Sequence, residues 1–408
     1  MSTITRLKIV SFIQFFIWGS WLVTFASYMF NTLHFKGSDV GLVFSSLGVA
    51  SLCSPILMGL IADKINNRKF IYVILHLISA FFLVLMAHST SVSLLFAITL
   101  THLLFYMPTM SICNSIIFEI LGKEKRDSDE WFPKIRVYGT IGFIAAMWMI
   151  SLLNLEMSHV QLYIAAIASV ALSIYSIFFI SIDKDSQSLK KEPHPFKFSD
   201  LAVLFKKSHV VVFLFFSMLL GSVLQITNTL GVPFLQDLAA APNAQNSLFT
   251  TYPTIFLSIS QFSEVFFILL LPLLLRYFKI EQILLMSMIA WILRFGLFAY
   301  GDFTYTGTIL LFISMIVYGC AFDFFNISGS LFLEKEIAPE FRSTAQGMFT
   351  TLVNGFGTFL GAMLSGLVLD LNTVNGAVNW KMFWIIFTSY TILFTCFYVG
   401  YLLFSKRR

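Results

Sequence analysis

Two carboxylic acids stand where polarity is expensive. Glu264, in SISQFSE, and Asp323, in SMIVYGCAFDFFNISGS, each lie deep inside a long apolar stretch. An ionisable side chain at the centre of such a stretch costs roughly 2.5–3.5 kcal/mol on insertion scales, so each is a functional-site candidate by default. Their neighbours extend the pattern. Gln261 precedes Glu264 by three residues and shares its helix face, and Gln225 and Asn228 repeat that spacing in LQITN. Arg136, Thr140 and Phe143 fall at i, i+4 and i+7, which makes one stripe, while Tyr318, Phe322 and Asp323 cluster on another stretch. Together they offer donors and acceptors for sugar hydroxyls and a base edge, with Phe143 and Phe322 as flat faces for a ring. Interhelical glue is the simpler reading of any single amide or hydroxyl. Two acids alongside amides and aromatics favour a ligand cavity.

Long helices must carry these stripes. Of 408 residues, 58% are hydrophobic and 12% charged, against roughly 45–50% and 25% in soluble proteins. With a mean hydropathy of +0.84, the chain has too little polar surface to cover one water-soluble core. A soluble enzyme, a nucleic-acid binder and a disordered chain are thereby excluded, and the lipid bilayer is the expected solvent. A helix crossing it needs about 20 apolar residues. Twelve such spans are read at 8–30, 39–62, 70–88, 92–118, 134–154, 160–181, 209–232, 247–275, 281–300, 307–333, 343–369 and 380–404. Counted at 1.5 Å per residue, Gln225, Glu264 and Asp323 all sit roughly 24–26 Å from the entering ends of their spans, at similar central depth. The first span, with polar Gln14, Ser20 and Thr24 and no small-x-small cleavage site, reads as a full crossing rather than a signal peptide.

Lys and Arg set the orientation. With the N-terminus inside, all 26 basic residues except Lys36, Lys381 and the mid-span Arg294 fall on the inner side. This bias puts both termini in the cytoplasm and makes the net charge a topology signal rather than a nucleic-acid footprint. The polar, proline-bearing stretch around IDKDSQSLKKEPHPFKFSD divides the spans six and six. The expected organisation is an N-terminal six-helix bundle over 1–181, a cytoplasmic linker over 182–208 and a C-terminal bundle over 209–408. A shift of 212 puts Tyr106 on Tyr318 and Asn114 on Asn326, and a shift of 213 puts Ser45 on Ser258 and Asp63 on Arg276. Such echoes suggest parallel repeats with a substrate site near the midplane where they meet.

Other chemistry finds little support. Cys53, Cys113, Cys320 and Cys396 lie singly in apolar runs, and the seven His residues show no metal-ligand spacing. No metal and no cofactor is expected, and no nucleophile stands at catalytic spacing. His76 and His102 read as interhelical hydrogen-bonding residues before proton relays. Arg294, in AWILRFGLFAY, lines the pathway or snorkels outward; the sequence does not choose.

The segment Gly59-Leu-Ile-Ala-Asp63-Lys64-Ile-Asn-Asn-Arg68-Lys69 resembles the G-x-x-x-D-[KR]-x-x-x-[RK]-[RK] signature of the major facilitator superfamily. The resemblance implies a gating motif of Gly59, Asp63, Lys64 and Arg68, broken and remade as the carrier alternates between faces. More specifically, SFIQFFIWGSWL, YMPT, IRVYGTIGF, FSMLLGSVLQITN, SISQFSE, SMIVYGCAFDFFNISGS and AQGMF are similar to segments of the bacterial nucleoside:proton symporters of that superfamily. By that resemblance the substrate-binding set is Arg136, Thr140, Phe143, Gln225, Asn228, Gln261, Glu264, Tyr318, Phe322 and Asp323.

The expectation is therefore an all-α membrane protein of the major facilitator fold, with twelve transmembrane helices in two six-helix bundles. It would be a monomeric, multi-pass protein of the bacterial inner membrane that imports nucleosides with protons by alternating access. Asp323 is the expected proton carrier and Glu264 the second candidate. Two rivals stand beside this reading. One is a facilitator for another polar solute, such as an oligosaccharide, on the same fold. The other is an intramembrane enzyme using Glu264 and Asp323 as paired acids, for which the nucleophile or metal is missing.

Overall fold

The structure is a computed structural model and describes residues 2–62, 67–180, 207–338 and 341–405. Two compact units emerge, Met1–Phe35 with Leu42–Pro193, and Lys36–Gly41 with His194–Arg408. The expected linker at 182–208 lies outside the described residues except for Lys207 and Ser208, as do Asp63 and Lys64 of the expected gating motif.

The first unit holds α1 (Thr3–Gly19), α2 (Phe25–Asn31), most of α3 (Gly37–Ala62), α4 (Arg68–His88), α5 (Val92–Lys123), α6 (Ser128–Leu152) and α7 (Val160–Phe179). Local chemistry sets several of these starts. The Ser2 hydroxyl accepts from the Thr5 amide at the head of α1, and the Asn67 side chain accepts from Phe70 N–H at the head of α4. The first expected span is not one helix: turns at 20–24 divide it into α1 and α2. Ser20 there bends back to donate to the Phe16 carbonyl at 2.7 Å, and buried Thr24 donates to Gln161 Oε1 on α7 at 2.7 Å.

Helix α1 packs on α6 and α7. A Cβ at Gly142 of α6 would overlap the Phe12 carbonyl, so only glycine permits that approach. Gln14 ties the rest. Fully buried, it donates from Nε2 to Thr109 Oγ1 at 2.9 Å, and its Oε1 accepts from the Tyr72 hydroxyl at 2.6 Å. His76 Nε2 lies 2.9 Å from the same oxygen, and Tyr106 donates to the Gln14 carbonyl at 2.6 Å. His76 also meets Ser169 of α7 at 3.0 Å, and His102 Nδ1 meets Ser79 at 3.1 Å. One amide thus joins α1, α4 and α5, and through His76 it reaches α7; the two histidines are interhelical ties.

The second unit holds α8 (Ser208–Ala239), α9 (Leu248–Thr251), α10 (Pro253–Leu257), α11 (Ile259–Tyr277), α12 (Ile280–Tyr300), α13 (Tyr305–Glu336), α14 (Arg342–Thr350), α15 (Thr358–Leu371) and α16 (Trp380–Ser405). The eighth expected span is broken into α9, α10 and α11. Pro253 cannot supply the amide needed to continue from Tyr252, and a turn at Ser258 precedes α11. The eleventh is interrupted by a π-helical stretch, Thr351–Gly357, packed against α8. There a Cβ at Gly221 would overlap the Val353 carbonyl. Among the described residues, one short loop departs from helix in this otherwise all-α chain. Thr373–Val374 and Ala377–Val378 pair as a short antiparallel hairpin around Asn375 and Gly376, whose φ angles of 52° and 80° suit an Asn-Gly turn.

The first turn of α3 goes with the second unit rather than with 1–181. Both carboxylate oxygens of Asp370 accept from backbone amides there, from Gly37 at 2.6 Å and Ser38 at 2.8 Å. Aromatic rings fill this unit's core: Phe234, Phe295 and Phe298 all lie within 5.3 Å, centroid to centroid, of Trp384. Altogether, eleven of the described helical stretches are long and apolar enough to cross a membrane. The twelfth expected crossing is the one divided between α1 and α2.

Gln14→Leu should leave the Tyr72 hydroxyl, a His76 nitrogen and Thr109 without their buried partner. At about 1–3 kcal/mol for a stranded group, the variant is expected to lose several degrees of thermal stability in detergent, read by tryptophan fluorescence. A stability equal to that of the unsubstituted protein would show that the amide is not the tie.

Candidate functional site

In the first unit, α6 carries Arg136, Thr140 and Phe143, all half-buried. The Arg136 guanidinium lies 3.9 Å from the centroid of the Phe15 ring on α1, and Gly139 packs between Arg136 and Ser11. The cation is thus oriented by an aromatic face rather than left to sweep through solvent.

In the second unit, α11 shows two faces of different use. Ser263 donates to the Ile316 carbonyl and accepts from Gly319 N–H at 3.2 Å, while Ser260 lies 3.2 Å from the Met315 sulfur. That serine face is the glue to α13. Gln261 and Glu264, each one residue further along, are half-buried, and Gln261 Oε1 is buried without a hydrogen-bond partner. Since the eighth span is broken, Glu264 lies in the second turn of α11, and its depth cannot be counted along one helix from residue 247.

On α8, Gln225 is buried and donates to Thr229 Oγ1 at 2.9 Å, one turn on, while Asn228 is half-buried. On α13, the rings of Tyr318 and Phe322 stack with centroids 5.8 Å apart and planes 7° from parallel. Asp323 follows directly. It is 3% exposed, and its Oδ2 is buried with no hydrogen-bond partner. An orphaned carboxylate oxygen in an apolar bundle is costly, and structures keep few of them without a functional reason. Gln261 and Glu264 of α11 and Tyr318, Phe322 and Asp323 of α13 thus stand on two helices that pack against each other in a single unit.

Two groups were not legible in advance. Arg294 neither snorkels nor reaches solvent; at 1% exposure it is locked inside the second unit. Glu119 of α5, 7% exposed, pairs with Arg68 at 3.3 Å and Lys123 at 3.4 Å, so the arginine of the expected gating motif has its acid within the first unit. The only sequence signal for Glu119 was an acid four residues before Lys123 at the end of an apolar run. Gly59 lies in α3, and Arg68 opens α4. Among the described residues, no cluster of His, Cys, Asp and Glu could hold a metal.

Bundles of long apolar helices, carrying a few polar side chains inside, define a multi-pass membrane transporter of the major facilitator type. A bacterial homologue of the human lysosomal transporter Spinster shares that fold, with a TM-score of 0.72 over 99% of this chain at 14% identity. The profile of the nucleoside H+ symporter family matches residues 1–407. The chain belongs to that family, which is one of transporters and not of enzymes. It is 47% identical over 402 residues to the xanthosine permease of Escherichia coli (strain K12), covering 98% of this chain and 96% of that one. It is 46% identical over 388 residues to the nucleoside permease NupG of the same organism, covering 95% and 93%. The crystal structure of nucleoside transporter NupG superposes with a TM-score of 0.93 at 44% identity, covering 98% of this chain and 99% of that one.

The two faces of α11 should separate on substitution. Gln261→Ala and Glu264→Ala are expected to leave thermal stability within a few degrees of the parent. Ser263→Leu, which removes the tie to Ile316 and Gly319 and adds bulk at a packed contact, should lower it by the equivalent of about 1–3 kcal/mol. Equal losses from all three, read by thermal unfolding in detergent, would make the amide–acid face structural as well.

Proposed function

We propose that this protein imports nucleosides together with protons by alternating access across the bacterial inner membrane. Support comes from family membership over the whole chain and, on the chain's own chemistry, from Asp323, a buried acid with an orphaned oxygen beside an aromatic pair. In this reading α1 and α2 together make the twelfth crossing, both termini are cytoplasmic, residues 182–208 link two six-helix bundles, and the protein acts as a monomer. Gly59, Asp63, Lys64 and Arg68 form the gating motif, and the Arg68–Glu119 pair at 3.3 Å gives that motif an anchor.

The binding roles follow from side-chain chemistry. The stacked Tyr318 and Phe322 rings, with Phe143, offer flat faces to a nucleobase. Gln225, Asn228 and Gln261 carry both donors and acceptors, matching a base edge, and Glu264 accepts from ribose hydroxyls. Arg136 and Thr140 add donors. Asp323 takes the proton: an uncompensated carboxylate in a closed apolar bundle is far costlier than a neutral acid, so protonation accompanies closure and reorientation. Coupling is then reciprocal, the proton favouring the nucleoside-bound carrier as much as nucleoside favours the protonated one.

Labelled-nucleoside uptake into cells lacking other carriers should be saturable and should collapse when an ionophore dissipates the proton gradient; uptake indifferent to the ionophore would remove symport. Gln261→Ala and Glu264→Ala should each weaken nucleoside binding by about 10–100-fold, the equivalent of roughly 1–3 kcal/mol for a lost hydrogen bond. Unaltered affinity in folded protein would return these residues to a packing role.

Asp323→Asn keeps size and hydrogen-bonding capacity but removes the proton site. The variant should still bind nucleoside and support counterflow in proteoliposomes. It should lose accumulation against a gradient and most of its dependence on pH. Proton-driven accumulation persisting in this variant would move the coupling site, with Glu264 next in line.

A further inference from the structure

Arg294 is the only charged residue of α12 beyond Glu281, and its side chain is sealed in the interior of the second unit at 1% exposure. A guanidinium is among the most expensive groups to place there, so its retention asks for a use. Its contacts are specific. Nη1 donates to the Ser314 carbonyl at 2.8 Å and to Ser260 Oγ at 3.4 Å, and Ser314 Oγ donates back to the Arg294 carbonyl at 3.0 Å. The cation sits 4.5 Å from the centroid of the Tyr318 ring and 4.9 Å from that of Phe298. Trp291, one turn earlier on α12, meets Tyr318 edge-on at 5.9 Å and 88°.

Each contact leads toward the candidate site. Ser260 directly precedes Gln261, and Ser314 lies one turn before Tyr318, the ring that stacks on Phe322. Among the described residues, Tyr318 of α13 is the titratable side chain whose contact with the Arg294 cation is direct. From α16, which also packs along α12, the neighbours are the uncharged rings of Trp384 and Phe387 beside Phe295.

We propose that Arg294 is a positioning residue for nucleoside binding: held by Ser314 and Ser260, it fixes the Tyr318–Phe322 ring pair from α12. The inference rests on the proposed nucleoside-binding role of those residues. A guanidinium suits the task because it stays protonated, spreads its charge over a plane that stacks on aromatic faces, and still donates in plane to Ser314 and Ser260. Lysine would keep the charge and lose the plane. Methionine would keep the stem and lose both.

The test compares the full-length protein with Arg294→Met, Arg294→Lys and Tyr318→Leu. Nucleoside affinity is measured by calorimetry, with thermal stability measured in parallel. Arg294→Met is expected to bind roughly tenfold more weakly, the scale of a desolvated cation–π contact. Arg294→Lys should recover only part of the affinity. Once Tyr318→Leu has removed the ring, Arg294→Lys should cost no further affinity, the non-additivity expected of residues acting as a unit. A purely structural role would lower thermal stability and leave affinity unmoved, which would overturn the proposal. If Arg294→Met does not fold, the lysine variant decides, and parental affinity in it overturns the proposal equally. Absence of nucleoside binding by the unsubstituted protein would instead overturn the functional reading beneath it.

Discussion

Inside a bilayer no water is available to finish a hydrogen bond, so every polar group must find its partner within the protein or be held for a substrate. That constraint organises both units. In the first, the single amide of Gln14 satisfies groups from Tyr72, His76 and Thr109 while its own carbonyl accepts from Tyr106, and helices with little polarity of their own become one body. In the second, Ser263, Ser287 and Ser314 make the same kind of tie to backbone carbonyls of neighbouring helices. These short side chains bring helices close and leave nothing over.

Against that background the groups that do not close their hydrogen bonds stand out. Buried polar side-chain atoms without partners occur in both units; among them Asp323 Oδ2, Gln261 Oε1 and Arg294 Nε fall on α13, α11 and α12 of one unit. Ser260 and Ser263 of α11 close on α13, while Gln261, one residue on, keeps an unpartnered buried oxygen. The same helices bring Tyr318 against Phe322 at nearly parallel planes, with Arg294 on the Tyr318 ring. A nucleoside asks for such a mixture: a flat apolar base with a polar edge, joined to a hydroxylated sugar.

Broken helices serve the same end. Regular α-helix is interrupted at 20–24, at Tyr252 and Ser258, and along Thr351–Gly357. Each is buffered by nearby side chains or by close glycine contacts, as with Ser20, Thr24 and Gly221. Such irregular stretches give a bundle places to bend without opening hydrogen bonds to lipid.

Features governed by solvent and helical period were open to sequence alone. Apolar run lengths located eleven of the twelve expected crossings. Ionisable residues inside those runs marked Glu264 and Asp323, because their cost does not depend on the fold. Helical spacing placed Gln261 with Glu264 and Arg136 with Thr140 and Phe143, since i, i+3 and i, i+4 neighbours share a face in any helix. Hydropathy could not show where a helix breaks, as in the split of 8–30 into α1 and α2, because the turn at 20–24 is as apolar as the helix around it. Nor could it show the Asn-Gly hairpin, too short for a periodic signal, or the partner of Arg68. Arg294 is the clearest case. Its direction in space, and so its burial, depends on α11 and α13 crossing α12 at the heights of Ser260, Ser314 and Tyr318. Those heights are set by packing between segments dozens of residues apart, and only the tertiary structure decides them.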